Sequence, residues 1–288
     1  MGADSSINSK IVVLLSDFGC RDGYAGIMKG VILSLDPGIR IVDLTHEIEP
    51  QHIPSGAYVL YTAWNHFPRG SVFCAVVDPG VGSRRGALFA EISERYLIAP
   101  DNGLISLLVR MIADRRVYAL RLDSILELEK DELFAPGPFP DGGSTLGSTF
   151  HGRDLFAPAA ALCASGYAGR VRGQAIEPVL LPDVLPEHSL NSVTGRILHV
   201  DRFGNCISSV HSTDLACIRS QYEGGIRVQA GEFFERRIRR TYADVPVGAP
   251  LCLIGSSGFL EIAVREGSAA ERFGITPGQS LTVTAAET

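Results

Sequence analysis

A chain of 288 residues, 45% hydrophobic and 20% charged, has the length for about two domains and the apolar content for a sizeable core, which excludes a disordered protein. Its formal net charge of -6 and isoelectric point near 5.7 speak against a general nucleic-acid binder, which carries clustered Lys and Arg. No apolar run approaches the ~18 residues of a membrane span. Residues 1–10 are polar and hold no signal-peptide core. A cytoplasmic protein with neither nucleic acid nor membrane as partner is therefore expected. Residues 1–6 fit the loose N-myristoylation pattern, a match that arises often by chance. Cys20, Cys74, Cys163, Cys206, Cys217 and Cys252 are widely spread, with no CxxC pair, so reduced thiols are expected rather than a zinc site or a disulfide scaffold.

In chain order, residues 10–17 form a continuous apolar run ending in a polar turn, as a buried strand does. A helix is expected from about Gly23, because Tyr24, Ile27, Met28, Val31, Ile32 and Leu35 recur at helical spacing. Asp22 is placed to cap it and Pro37-Gly38 to end it. A strand over 39–44, a helix over 55–64 after Pro54, and a strand over 71–77 follow. Two more strands are expected at 88–92 and 95–99, then helices at 104–113 and 154–164. Alternation of this kind predicts an α/β domain with a mainly parallel sheet. Residues 123–147 form a Gly- and Pro-rich excursion that reads as a surface loop. After the proline-spaced linker 180–186 the pattern changes to short strands at 194–200, 225–230, 250–254 and 260–264, with one short helix at 268–273. The fold class expected is thus an α/β domain over 1–185 plus a smaller antiparallel β domain over 186–288.

Ligands of open α/β sheets bind beyond the carboxyl ends of the strands. Three predicted strands end there in a carboxylate and a glycine: Ser16-Asp17-Phe18-Gly19, Asp78-Pro79-Gly80 and Asp101-Asn102-Gly103. Phosphate-binding glycine patterns are missing, and carboxylates at these places suit a cation or the hydroxyls of a ribose diol. Any one of these aspartates could instead cap a turn or helix. His151, before Gly152 at a loop-to-helix junction, can reach a ligand or serve the fold alone. Arg153 and Asp154 can pair, or Asp154 can cap the helix. The other histidines, among them His46, form no ligand spacing. These patterns support a ligand-binding α/β enzyme.

Five motifs occur in a specific order: Ser16-Asp17-Phe18-Gly19; Val77-Asp78-Pro79-Gly80-Val81-Gly82-Ser83-Arg84-Arg85; Pro100-Asp101-Asn102-Gly103; Thr149-Phe150-His151-Gly152-Arg153-Asp154; and Asp201-Arg202-Phe203-Gly204-Asn205. Together, from about residue 10 to 285, they resemble the S-adenosyl-L-methionine (SAM) hydroxide adenosyltransferases, water-using relatives of the fluorinase and chlorinase. The resemblance implies hydrolysis of SAM to adenosine and methionine by a homotrimer whose sites lie between the N-domain of one subunit and the C-domain of the next. No cofactor or metal is expected, because the sequence holds no ligand cluster of recognised spacing. It puts the family's Asp-Arg-His set on Asp78, Arg85 and His151, with Arg84 as a rival for the arginine. It implies ribose binding by Asp17, methionine-end contacts by Asp22, Asp201 and Ser256, and nucleoside contacts by Phe203 and Asn205. Asn102, Phe150 and Gly152 join the substrate contacts, and adenine meets largely main chain between Val264 and Glu266. An acidic pocket suits a sulfonium that also bears an ammonium group. Water is the expected nucleophile rather than a halide. Asp78 stands where the halogenases carry a tyrosine, and Gly152 where they carry a halide-contacting serine.

Two other readings compete. One is a metal-dependent phosphohydrolase with Asp17, Asp78, Asp101 and His151 as ligands. The other is a non-catalytic nucleoside-binding protein on the same fold, against which an intact Asp78, Arg85 and His151 argue.

Overall fold

The computed structural model of the protein describes residues 10–126, 128, 147, 149–219 and 226–285. The myristoylation-like start and most of the 123–147 excursion lie outside the described residues. The chain divides into two compact units, Met1–Leu180 and Leu181–Thr288, within the proline-spaced linker.

The N-terminal unit has seven strands: β1 (Ile11–Ser16), β2 (Arg40–Thr45), β3 (Val72–Val76), β4 (Ala87–Ile92), β5 (Arg95–Pro100), β6 (Arg115–Leu120) and β7 (Arg172–Ala175). Their order is β2-β1-β3-β5-β4-β6-β7. The pairings β2–β1, β1–β3 and β3–β5 are parallel, while β4, β6 and β7 extend the sheet antiparallel. Every residue of β1 and β3 is buried, which is why both read as unbroken apolar runs. Val12, Leu14, Val72, Cys74 and Val76 share one core with Met28, Val31, Ile32 and Leu35 of helix α1 (Tyr24–Leu35). On the other face Trp64 of helix α2 (Ile53–Trp64) stacks on Phe73, with centroids 4.4 Å apart. Helix α3 (Ser106–Met111) is shorter than its apolar pattern suggested, and α4 (Asp123–Leu126) is a single turn. From Gly152 to Val171 two helical stretches meet at a kink at Gly166, whose φ is 92°: a π-turn Gly152–Phe156, α5 (Ala157–Leu162), a second wide turn Cys163–Tyr167 that contains the kink, and α6 (Ala168–Val171).

Two local expectations fail. The N-cap of α1 is Gly23, with no side-chain cap bond, so Asp22 does not cap it. Helix α2 begins one residue before Pro54, with His52 accepting from the Ser55 amide, because proline is tolerated in a first turn.

The C-terminal unit holds β8 (Glu187–His188), β9 (Ser192–Val200), β10 (Cys206–His211), β11 (Ile226–Ala230), β12 (Phe233–Glu235), β13 (Ile238–Arg239), β14 (Pro250–Ile254), β15 (Phe259–Val264) and β16 (Ser280–Ala285). They run β12-β11-β16-β9-β10-β15-β14-β13, with β8 beside β9. All pairings are antiparallel except β13–β14. The expectation of a single short helix fails here: α7 (Ser212–Arg219) precedes α8 (Ala269–Phe273). Its polar start, Ser212-Thr213-Asp214, hides it from a search for apolar periodicity.

Candidate active site

In the N-terminal unit, β1 and β3 are neighbours and parallel, so the loops at their carboxyl ends emerge side by side. They carry Asp17 and Asp78. With Phe18, Tyr24, Pro50, Gln51, Phe150, His151 and Gly152, these residues line a cavity of about 360 Å³. Phe150 packs edge-on to Phe18 and Tyr24, with centroids 5.7 and 5.2 Å away, and forms an aromatic wall. A Cβ at Gly152 would stand 2.9 Å from Phe150 Cε2 and 3.2 Å from both Phe18 Cε2 and Met28 Sδ, so the wall closes only over glycine. One oxygen of Asp17 accepts the Gln51 amide at 2.8 Å and holds that residue at a φ of 66°.

Arg85 joins Asp78 to His151. Its Nε donates to both Asp78 oxygens, at 2.9 and 3.0 Å, and its Nη2 donates to Oδ2 as well. The same Nη2 lies 2.7 Å from His151 Nδ1. A guanidinium only donates, so Nδ1 accepts and the neutral ring carries its proton on Nε2. Burial first, and then the Arg85 charge, hold His151 below its ordinary 6.5, against the pull of Asp78, Asp154 and the Gly147 backbone. The Asp78 and Arg85 side chains are only 5% and 11% exposed, and the guanidinium also sits 5.2 Å over the Phe156 ring. Arg84 is exposed and takes no part in these bonds. Arg153 pairs with the buried Asp154, which also accepts the Gly147 amide.

The third strand end serves the fold. Asp101 Oδ1 accepts the Val179 amide at 2.8 Å. Asn102 Nδ2 donates to the Val77 carbonyl at 2.8 Å and steadies the residue before Asp78. Neither Asp101 nor Asn102 lines the cavity, and Asp22 does not either. Asp17, Asp78, Asp101 and His151 therefore do not converge as ligands. Among the described residues there is no group of three or more His, Cys, Asp or Glu that could hold a metal ion.

The C-terminal unit has its own cavity, of about 670 Å³, lined by Asp201, Phe203, Asn205, Val264 and Glu266, and also by Thr241 and Tyr242. Asp201 organises the loop between β9 and β10. Its Oδ1 accepts the Phe203 and Asn205 amides, and its Oδ2 accepts from Asn205 Nδ2, each at 2.9 Å. Gly204 has a φ of 80°, and a Cβ there would overlap Ser268. Phe203 is left 75% exposed. Ser256 lies in the turn between β14 and β15 and does not line this cavity. Sequence reasoning missed Tyr242 and its acceptor Glu261, whose carboxyl burial pushes up. The signal available was the capping box formed by Thr241 and Asp244, which marks an ordered turn at Tyr242.

The family model described as the SAM hydroxide adenosyltransferase N-terminal domain matches residues 12–172, and that for the C-terminal domain matches 195–282. The chain belongs to the SAM hydroxide adenosyltransferase family. Members similar to it include an (R)-S-adenosyl-L-methionine hydrolase of Thermus thermophilus, 38% identical over 94% of this chain and 98% of that protein. A hydrolase of the same name from Salinispora arenicola is 33% identical over 94% and 96% of the two chains. A fluorinase from Actinoplanes sp. is more distant, at 26% over 96% and 98%. Among solved structures, an uncharacterized conserved protein of Thermotoga maritima is similar with a TM-score of 0.79 and 29% identity, covering 95% of this chain and 99% of that one. No helix of the described residues is long and apolar enough to cross a membrane.

Proposed function

We propose that this protein hydrolyses SAM to adenosine and L-methionine, with water attacking C5′ of the ribose. The observation that carries this reading is the guanidinium of Arg85 joining Asp78 and His151 at the edge of a cavity that also holds Asp17, in a chain of this family. The water oxygen forms a bond to C5′ and the C5′–S bond breaks. Its electron pair goes to sulfur, so methionine leaves as a neutral thioether and no acid is needed. The proton lost by the water passes to the Asp78 carboxylate, because His151 Nδ1 already accepts from Arg85 and its Nε2–H can only donate, which suits it to orient the water. The free oxygen of Asp17 suits the ribose diol, and the carboxylates of the cavity suit a cationic substrate. Holding the water in line is the main task, since a reacting pair must sit within roughly 3–3.5 Å.

Water rather than halide is the nucleophile in this reading, but Arg85 changes the argument. A bare Asp78 carboxylate would repel an anion at 4 Å by about 4 kcal/mol at an effective dielectric of ~20. The bidentate arginine offsets most of that field. Discrimination then rests on Gly152, which offers no hydroxyl and no room for one beside Phe150. A homotrimer with sites shared between subunits, and a cytoplasmic setting that keeps the thiols reduced, complete the proposal. The trimer rests on the family resemblance.

Chromatography tests the reaction. The protein is incubated with each sulfonium epimer of SAM, with chelator present and with excess chloride or fluoride. Adenosine and methionine should form, and the names of the relatives favour the R epimer. A 5′-halo-5′-deoxyadenosine as main product, or activity restored only by a divalent ion, would refute the reading. Mixing an Asp78→Ala chain with an Asn205→Ala chain should restore part of the activity if sites are shared, and none if they are not.

A further inference from the structure

Outside the Asp-Arg-His set, the N-terminal unit contains a second hydrogen-bonded line of Ser, His and Asp. Ser16 Oγ lies 2.7 Å from His46 Nδ1, and His46 Nε2 lies 3.1 Å from Asp43 Oδ1. Ser16 and His46 are only 1% and 4% exposed. Lys29 holds the far oxygen of Asp43 at 2.5 Å. The arrangement has the connectivity of a hydrolytic triad without its accessibility, for the serine oxygen is buried and already accepts the Phe18 amide at 3.3 Å. One directed set of protons satisfies every group. Phe18 N–H donates to Ser16 Oγ, the Ser16 hydroxyl donates to His46 Nδ1, and His46 Nε2–H donates to the Asp43 carboxylate. The main chain follows the same path, since the Gly19 amide donates to the His46 carbonyl at 2.7 Å and the Ile48 amide to the Ser16 carbonyl at 3.4 Å. Asp17 lies between the two residues that this line fixes, Ser16 and Phe18, and both Asp17 and Phe18 line the cavity.

We propose that the Asp43–His46–Ser16 line is a positioning device that aims the Asp17 carboxylate at the ribose diol. His46 is then a positioning residue for nucleoside recognition, and it acts through Ser16 on a loop that it does not itself extend into the cavity. The inference rests on the reading of this cavity as the nucleoside site. Its effect should be selective, because a mis-aimed Asp17 loses its bonds to the hydroxyls while the aromatic wall is left in place.

The test is binding of adenosine and of 2′,3′-dideoxyadenosine by calorimetry, in the original chain and in Ser16→Ala, His46→Leu, His46→Asn and Asp43→Ala. The original chain should prefer adenosine, and Ser16→Ala and His46→Leu should reduce that preference roughly fivefold to tenfold, the worth of about one net hydrogen bond. His46→Asn, whose amide oxygen can stand in for Nδ1, should recover part of it. Asp43→Ala removes the acceptor of His46 Nε2–H at a partly exposed side chain, should lower the preference in the same sense, and keeps the test open if a buried substitution prevents folding. An equal loss of both nucleosides, or an unchanged preference in the folded variants, would overturn the positioning role. No preference in the original chain would instead overturn the assignment of Asp17 to the ribose, and the positioning role with it.

Discussion

Replacing Arg85 by methionine removes the cation and every hydrogen bond it makes, while a flexible apolar stem still fills the space over Phe156. The loss comprises two Nε contacts and one Nη2 contact to Asp78, the Nη2 contact to His151, and an Nη1 bond to the Gly86 carbonyl at 3.2 Å. Asp78 is 5% exposed, so its carboxylate is left in the protein without a counter-charge or adequate water. Breaking such a pair on one side typically costs about 3–5 kcal/mol, whereas replacing both partners by neutral groups is close to neutral. Arg85→Met should therefore destabilise the N-terminal unit by about 3 kcal/mol, and adding Asp78→Asn should return about 2 kcal/mol of it. The chain has one tryptophan, Trp64, buried against Phe73 in that unit, so its fluorescence during urea unfolding reports on the N-terminal unit alone. A loss below about 1 kcal/mol for Arg85→Met, or strict additivity with Asp78→Asn, would show that the pair is not a buried, mutually dependent unit.

The acid limb of the turnover profile should have its midpoint below the ordinary histidine value of 6.5, because burial and Arg85 both disfavour the imidazolium of His151; a pH–rate profile checks this. Asp78→Ala and His151→Ala should each cut turnover by ~10²–10⁴-fold with a smaller effect on affinity, measured as kcat against Kd. Gly152→Ala should cost about 1–3 kcal/mol through overpacking against Phe150 and Phe18, read by the same tryptophan signal, and should weaken adenosine binding. In native protein exposed to an alkylating reagent, Cys20 should be modified while Cys74, Cys206 and Cys252 resist, since burial pushes those three thiols up to about 12; mass spectrometry distinguishes them.

The parallel half of the N-terminal sheet was legible because β1 and β3 are covered on both faces, and continuous burial writes a continuous apolar run. Strand β6 was not, because Arg115 and Arg116 open it and its exposed positions dilute the signal. Strand β10 carries the adjacent serines Ser208 and Ser209, both buried; their hydroxyls are placed by bonds to the Leu260 carbonyl and the Arg196 amide, which no local pattern shows. At the candidate site, the strand-end rule points to Asp17 and Asp78, which line one cavity, and equally to Asp101 and Asn102, which bond to neighbouring backbone and do not line it. A carboxylate or amide at a strand end does not reveal whether its partner is a ligand or the main chain. The arginine ambiguity had the same source: Arg84 and Arg85 are chemically equal in sequence, and only the turn from Gly80 to Gly86 decides which one faces inward. His46 was passed over because its partners lie 30 residues before it and three residues before it, a spacing no local motif contains.

The left-handed conformation of Gln51 places this cavity in a conflict between durability and use. A non-glycine residue at a φ of 66° stores roughly 1–2 kcal/mol, and here the strain is held by one bond from its amide to Asp17. Gln51→Gly would remove that strain, and a screen for heat resistance alone should find it early. The same exchange would remove a cavity-lining side chain and loosen the segment that grips Asp17. Populations selected for survival at high temperature and populations selected for turnover should therefore part ways at this position.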